Sequence, residues 1–353
     1  MGQTLLMMPG QASMSNTMQD VRPAHHGMLL WALIVGMSFP AVGMMSEGLP
    51  PLLLTAIRFA IAALAIWPLV WRKGCRWPSL PGLALYAFMG LSLAGFFGTM
   101  FWAAHRTSAL SMATLYISVP LLAYYLGRGF GVEQRAGQLL GILALGAVGA
   151  LGLAWAEAGG QLSELQFGIA EAAFLVGCLA SALYPVLSKW GLNRGWLSQR
   201  AEVRTFWSLL TGSVLVGLLG LFGEVPQHLM NMTPLDALVL VYLGVFSSGM
   251  TFWLTQRATA LLTPAAVTAY SYLVPFVSMP LLFIDQPQHI GWHWLPGSLL
   301  VVLAIALLLN RGAANRRPGH GIQSQRRQPE GQAGDSFLRR VTTCLTHPLI
   351  VKE

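Results

Sequence analysis

The sequence predicts an all-α integral membrane protein of ten transmembrane helices, arranged as two inverted five-helix repeats with both termini cytoplasmic. Three observations carry that expectation. Hydrophobic residues make up 55% of the 353 residues and charged ones only 10%, against the roughly 25% charged residues of a soluble domain; mean hydropathy is +0.59. The apolar residues come in continuous runs rather than alternating with period two, which favours helices over a barrel. Finally, one segment occurs twice, GTMFWAAHRTSALSMATLYISVP at Gly98–Pro120 and GMTFWLTQRATALLTPAAVTAYSYLVP at Gly249–Pro275. Doubling of this kind in a very apolar chain points to two homologous halves.

Ten runs reach about the length a span needs. They lie at Gly27–Met45, Pro51–Val70, Pro81–Ala103, Ser108–Gly127, Ala136–Trp155, Phe167–Leu187, Thr205–Phe222, Leu235–Leu254, Thr263–Phe283 and Ile290–Leu309. The breaks carry Pro, Gly or charge, as at Ser46-Glu47-Gly48-Leu49-Pro50, Arg72-Lys73-Gly74-Cys75-Arg76, Ala156–Gln166, Lys189–Arg204 and Gly223–Pro234. The resulting units are a tail over 1–26, repeats over 27–155 and 167–310, and a basic tail over 311–353. No secretory leader is read in the first segment, where Met7, Met8, Met14 and Met18 offer alternative starts.

Charge fixes the expected orientation. With the N-terminus inside, 19 of the 21 basic residues fall on inside segments, Arg106 falls outside and Arg58 lies within a helix. Trp71, Trp77, Trp190 and Trp196 then sit near inside ends, and Trp155, Trp292 and Trp294 near outside ends, as an interfacial belt requires. Because each half holds an odd number of helices, the second enters from the opposite side, and a shared cavity is expected at the midplane. Much of the net charge of +8 belongs to the final segment, where eight basic residues face three acids in a Gly/Gln/Pro-rich context. That composition suits anionic headgroups better than nucleic acid, which would need a folded basic surface with aromatics.

The candidate functional residues cluster around two prolines at equivalent positions. Within a helix, Pro120 frees the carbonyl of Tyr116, and Pro275 that of Ser271. Such groups in lipid either line a wet cavity or are absorbed by a packing kink, with Ser118 or a neighbouring helix taking up the loss. Tyr116, Ser118 and Tyr124 accompany the first proline; Thr268, Tyr270, Ser271 and Tyr272 accompany the second. For the cluster a pocket is favoured, although packing explains any one tyrosine. Arg58 is read as the one buried cation, functional by default, with snorkelling as its bland alternative. Glu171 is read as the one acid within a span; it pairs with Arg58, relays protons, or is solvated at the interface.

Other chemistry is weakly supported. Asp285, His289 and His293 have metal-ligand spacing, but Pro287 and Gly291 interrupt them, so no metal is expected. The Gly127–Gly131 turn lacks the strand and Lys-Ser/Thr of a phosphate loop. No GxSxG, HExxH or paired-carboxylate motif is present. Three scattered cysteines, Cys75, Cys178 and Cys344, make no disulfide framework.

Gly36-Met37-Ser38-Phe39, Leu49-Pro50-Pro51, Ile57-Arg58-Phe59-Ala60, the proline-terminated segments and Glu133 together resemble the EamA-type members of the drug/metabolite transporter superfamily. The resemblance spans roughly 27–311. Val35 stands where that family often has Trp, Gly43 where Lys is common, and Asp285 where the second loop acid is usually Glu. It implies a secondary transporter of a bacterial inner membrane that moves a small metabolite or drug-like solute, most often outward. The mechanism expected is alternating access around a cavity bordered by helices two, four, seven and nine, with Arg58, Tyr116, Ser118, Pro120, Tyr270, Ser271, Tyr272 and Pro275 as candidates along the substrate path. Partners are then the solute and the bilayer, with a homodimer as the candidate assembly, and neither cofactor nor nucleic acid. The rival classes are a membrane-embedded enzyme on lipid-linked substrates and a non-transporting partner subunit.

Overall fold

The computed structural model describes residues 21–72, 77–104, 106–157, 168–285 and 291–314. Thirteen α-helices follow one another: α1 Arg22–Gly43, α2 Pro51–Trp71, α3 Leu80–Ala104, α4 Ala109–Tyr116, α5 Val119–Gly129, α6 Gly137–Glu157, α7 Ile169–Asn193, α8 Ala201–Gly223, α9 Pro234–Tyr242, α10 Thr251–Leu261, α11 Pro264–Thr268, α12 Leu273–Asp285 and α13 Leu295–Ala314. A π-helical stretch, Leu243–Met250, joins α9 to α10, and a 3-10 turn, Ala269–Tyr272, joins α11 to α12. Among the described residues, nine helical stretches are long and apolar enough to cross a membrane. The ninth predicted run, Thr263–Phe283, is broken instead, because α11 and α12 hold only 5 and 13 residues. The two tails and the loop carrying His289 lie outside the described residues.

Helix starts follow from their capping chemistry. Ser108 and Thr263, which precede the fourth and ninth predicted spans, each accept a backbone N–H from three residues on. Thr233 and Asp236 form a reciprocal capping box ahead of α9, and Asp236 also accepts the N–H and hydroxyl of Ser46, both at 2.8 Å. The N-terminus of α2 is capped from a distance: Glu224 accepts the N–H groups of Leu52 and Leu53 at 2.7 and 2.9 Å, a carboxylate placed where the helix dipole favours it.

Pro120 and Pro275 are not interior prolines. Each lies in the first turn of a new helix, α5 or α12, where a missing N–H costs little. The chain therefore breaks just before each proline, at Ile117–Ser118 and at Ala269–Tyr272, and the predicted kinks become discontinuities in both halves. Ser118 steadies the first by donating to Leu115 O at 2.6 Å.

Helix pairing has a reciprocal pattern. Matching α1, α2, α3, α4–α5 and α6 to α7, α8, α9–α10, α11–α12 and α13, the most extensive contacts find counterparts. The α3–α7 contact answers to α10–α1, α3–α8 to the π-helical stretch on α2, and α5–α7 to α12–α1, while α2–α8 and α6–α13 map onto themselves. Such reciprocity is what a twofold relation between two halves requires. Large apolar side chains such as Leu64, Phe88, Val176, Phe222 and Leu238 point outward, as a lipid-facing surface demands.

Small residues set the closest approaches, as between membrane helices generally. A Cβ on Gly149 would lie 2.8 Å from Leu300 Cβ, and one on Gly297 would lie 2.8 Å from the Gly149 carbonyl. Replacing Gly149 by Leu is therefore expected to force α6 from α13 and destabilise the protein by about 1–3 kcal/mol, the usual cost of overpacking. A lowered melting temperature of the detergent-purified variant would check this; an unchanged one would show that the two helices can separate freely.

Candidate functional site: an arginine against a widened helix

Arg58 is the eighth residue of α2 and is half-buried. Its Nη2 donates to Ser247 Oγ and Ser248 Oγ, each at a long 3.3 Å. Its Nε is buried with no acceptor at all, and among the described residues no carboxylate pairs with it. The two serines belong to the π-helical stretch, a form that occurs mostly as short insertions and often at functional sites. Widening there leaves carbonyls to be satisfied, and Thr251 Oγ1 donates to those of Ser247 and Ser248. Gly244 lets this stretch approach α2, since a Cβ at that position would come within 2.7 Å of Ile61 Cγ2.

An aromatic row begins at the next residue of α2. Phe59 meets Phe97 and Phe252 edge-on at centroid separations of 5.4 and 5.6 Å. Phe97 continues to Phe96 at 5.1 Å, and Phe96 to Tyr116 at 5.7 Å. All of these except Phe59 are half-buried. An aromatic row thus runs from α2 through α3 to the end of α4.

Arg58 is not the only buried cation. Arg204, expected in a loop, lies in the first turn of α8 and is 0% exposed. Its donors are well matched: Nε to Gln256 Oε1 at 3.0 Å, Nη1 to Ser198 O at 2.6 Å and Nη2 to Gln256 O at 2.5 Å. Gln256 is held in turn, accepting from Ser188 Oγ at 2.6 Å and donating to Tyr184 Oη at 2.8 Å. Tyr184 closes the set with Ser208 at 2.9 Å. Gln256 lies in the doubled segment, and Val203-Arg204-Thr205 echoes Ile57-Arg58-Phe59 in the matching helix of the other half. That echo was the signal by which sequence alone could have found the network.

The tyrosines named with the prolines separate into two places. Tyr116 packs on α7 with Phe174 and Cys178, at the end of the aromatic row. Tyr270 and Tyr272 are 0% and 2% exposed, packed against α1, α6 and α13. Tyr270 Oη lies 2.6 Å from His25 Nδ1, and Tyr272 covers Gly146, where a Cβ would come within 2.4 Å of its ring. Ser271 is buried beside them, and Pro275 is half-buried. Two concavities, of about 510 and 460 Å³, are lined by Leu122, Tyr125 and Phe130 in one case and by Pro50, Phe101, Glu224 and His228 in the other. Neither includes a residue of the predicted path.

Acids are also differently deployed than expected. Glu171 does not reach Arg58; it accepts from Thr107 Oγ1 and from the Gly168 N–H, the latter at 2.7 Å, and so caps α7. Nor is it the only acid withdrawn from solvent, for Asp236 and Glu133 are buried too. Of the Asp285, His289 and His293 trio, the Asp285 side chain and His289 lie outside the described residues, and among those described no metal-type cluster forms.

Glu133 occupies the loop between α5 and α6, 8% exposed, facing Thr263 and Ala265 at the start of α11. Burial pushes its carboxyl above the ordinary 4.5, opposed by hydrogen bonding to Thr263 and Ala265 and by the more distant charges of Arg311 and Lys189. A raised carboxyl pKa means the folded state holds the proton longer than the unfolded chain. Its contribution to stability is therefore complete below pH 4.5 and declines as pH rises through the folded value. Glu133→Gln should flatten the stability profile over that window; an identical profile in the variant would show that the carboxyl does not titrate with folding.

The two arginines make contrasting mutational expectations. Gln256→Leu strips Arg204 and Tyr184 of partners inside a span and should cost about 2–3 kcal/mol, read as a large loss of melting temperature. Arg58→Ala removes a group with few bonds and should change that temperature little. Equal losses would mean that both arginines serve packing.

Helices of span length, reciprocal halves, discontinuities beside paired prolines and an intramembrane cation define a polytopic membrane transporter rather than an enzyme. The chain belongs to the EamA-like transporter family, whose model matches it twice, over residues 23–155 and 168–310. It is 26% identical over 250 residues to the uncharacterized inner membrane transporter YedA of Escherichia coli K12, covering 70% of this chain and 78% of that one. It is also 23% identical over 315 residues to the uncharacterized transporter YcxC of Bacillus subtilis 168, covering 84% and 96%. One solved crystal structure matches the fold with a TM-score of 0.66 at 16% identity, over 84% of this chain and 98% of that one. The protein is a multi-pass inner-membrane transporter.

Proposed function

We propose that the protein is a secondary exporter of a small metabolite or drug-like solute, working by alternating access between two halves inverted in the membrane. The observation that carries this reading is the pair of helix discontinuities beside Pro120 and Pro275, at matching places in the two halves. Discontinuous helices at a repeat interface are where transporters place their substrate sites. The reciprocal helix pairing supports a twofold relation, and the concentration of basic residues on alternate loops supports cytoplasmic termini and opposed halves.

The solute path runs past Arg58, Ser247 and Ser248 and along the aromatic row to Tyr116, Ser118 and Pro120. Tyr270, Ser271, Tyr272 and Pro275 are packed against α1 and α6 here, and join the path when α11–α12 swings away from them. Hinges of this kind sit at element ends that can absorb a backbone change.

An efflux comparison tests the proposal. Cells expressing wild type, Arg58→Ala or Tyr116→Ala would be profiled for small molecules in medium and cytosol, with and without an uncoupler. The expected result is at least one metabolite that leaves faster with wild type and is retained by Arg58→Ala. Unchanged export in both variants would remove these residues from the path. No exported solute in a broad panel would favour import, a missing partner, or an enzyme on lipid-linked substrates.

A further inference from the structure

The unequal treatment of the two buried arginines points to a ligand. They occupy echoing positions in the second helix of each half, yet Arg204 has an acceptor for each guanidinium nitrogen and is wholly buried. Arg58 has two long hydroxyl contacts on one nitrogen, a buried Nε without an acceptor, and partial exposure. A charge inside a span is costly unless it is paired or hydrogen-bonded. The same scaffold meets that cost in full at Arg204, so the fold is able to do so. At Arg58 it leaves the forked face of the guanidinium open.

We propose that Arg58, Ser247 and Ser248 form the binding site for an organic monoanion bearing a carboxylate, whose apolar body lies along Phe97, Phe252 and Phe96. The proposal rests on the transport reading above and names its substrate class. A guanidinium fork matches the two coplanar oxygens of a carboxylate through parallel N–H bonds. Each serine hydroxyl accepts from Nη2 and keeps its own proton to donate to the anion. The consecutive serines are brought to one nitrogen by the π-helical stretch, which gives that local widening a purpose. One cation is matched by one negative charge; a phosphate dianion would bring a second charge into the span, where two other helix-borne cations are already engaged. Lys189 donates to the Ala260 carbonyl at 2.9 Å, and each guanidinium nitrogen of Arg204 has an acceptor. The half-buried rings beyond Phe59 supply apolar contact for whatever the carboxylate is attached to.

The test is equilibrium binding to the full-length protein in nanodiscs at neutral pH, read by calorimetry and by ligand-induced thermal shift. The probes are benzoate, propionate, benzamide, benzylamine and inorganic phosphate. Saturable binding of benzoate or propionate is expected, with benzamide, benzylamine and phosphate much weaker. Arg58→Gln should weaken the carboxylate probe at least about tenfold, and Arg58→Lys, which keeps the charge and loses the fork, by an intermediate factor. If Arg58→Gln does not fold, Ser247→Ala/Ser248→Ala carries the test: weaker binding by several-fold with unchanged melting temperature supports the site.

Benzamide binding as well as benzoate, carboxylate binding indifferent to Arg58 and the serines, or no carboxylate binding at all would each overturn it. An Arg58-dependent export of neutral or cationic solutes, without carboxylate binding, would sink this inference and leave the transport reading intact. Arg58-dependent carboxylate binding in a protein that exports nothing would uphold the site and sink that reading.

Discussion

A chain threaded through hydrocarbon has no water to satisfy its polar groups, and that single constraint accounts for most of what this molecule looks like. Backbone donors and acceptors are closed within helices. Where helices start or break, side chains fill the gap: Ser108, Thr233 and Thr263 as local caps, and Glu224 and Glu171 as acids on the N-terminal amides of α2 and α7. Hydroxyls inside spans fold back on their own helix, as Thr55, Thr205, Thr255 and Thr259 do on carbonyls four residues earlier. The same rule makes the Arg204–Gln256–Tyr184 set intelligible, since a cation brought that deep needs hydrogen-bond acceptors, and here each guanidinium nitrogen has one. The bare Nε of Arg58 shares its lack of a hydrogen-bond partner with Glu133 Oε2, Trp207 Nε1 and Tyr272 Oη, and differs from them in belonging to a guanidinium cation.

Much of the fold was legible in sequence because spanning a membrane is a one-dimensional property. Length of apolar run, the presence of paired prolines and the doubled Gly–Phe-Trp–Arg segment can all be read without knowing what packs on what. Arg58 was legible for the same reason, as a charge in an apolar run. What escaped depends on the third dimension or on local winding. Lys189–Arg204 reads as a polar loop, yet α7 runs on to Asn193 and α8 begins at Ala201, so Lys189 and Arg204 are drawn inside helices. Leu243–Met250 has ordinary helical composition; its π winding shows only where it meets α2. Tyr270 and Tyr272 adjoin a break in the chain, but adjacency does not fix facing, and their rings are directed at Gly146 and His25. Pairing with Arg58 was one of three readings open for Glu171, beside proton relay and solvation at the interface; its oxygens are engaged by Thr107 and Gly168.

The two halves share a plan and differ in its execution. On the first side α3 runs unbroken from Leu80 to Ala104, whereas its counterpart is divided into α9, a π-helical stretch and α10. The break before Pro120 takes a single turn, while that before Pro275 is drawn out into a 3-10 segment. These departures fall together: the π-helical stretch abuts Arg58, and the 3-10 segment carries the buried tyrosines. A twofold scaffold has two equivalent places for every feature, so specificity for an asymmetric solute has to come from positions where the copies diverge.

Divergence also separates holding from moving. The Arg204 network ties α7, α8 and α10 through bonds from all three guanidinium nitrogens, and such an arrangement resists rearrangement because breaking it strands buried groups. The α6–α13 contact, with Gly149 against Gly297, is rigid for a steric reason instead. Between these fixed pairings lie the elements with slack: α4–α5 and α11–α12, each broken ahead of a proline, and the α2 surface where Arg58 has bonds to gain. On the proposed alternating-access reading, changes of shape would fall on those elements, and an anion that completes the bonding of the Arg58 guanidinium better in one arrangement than in the other would shift the balance between them.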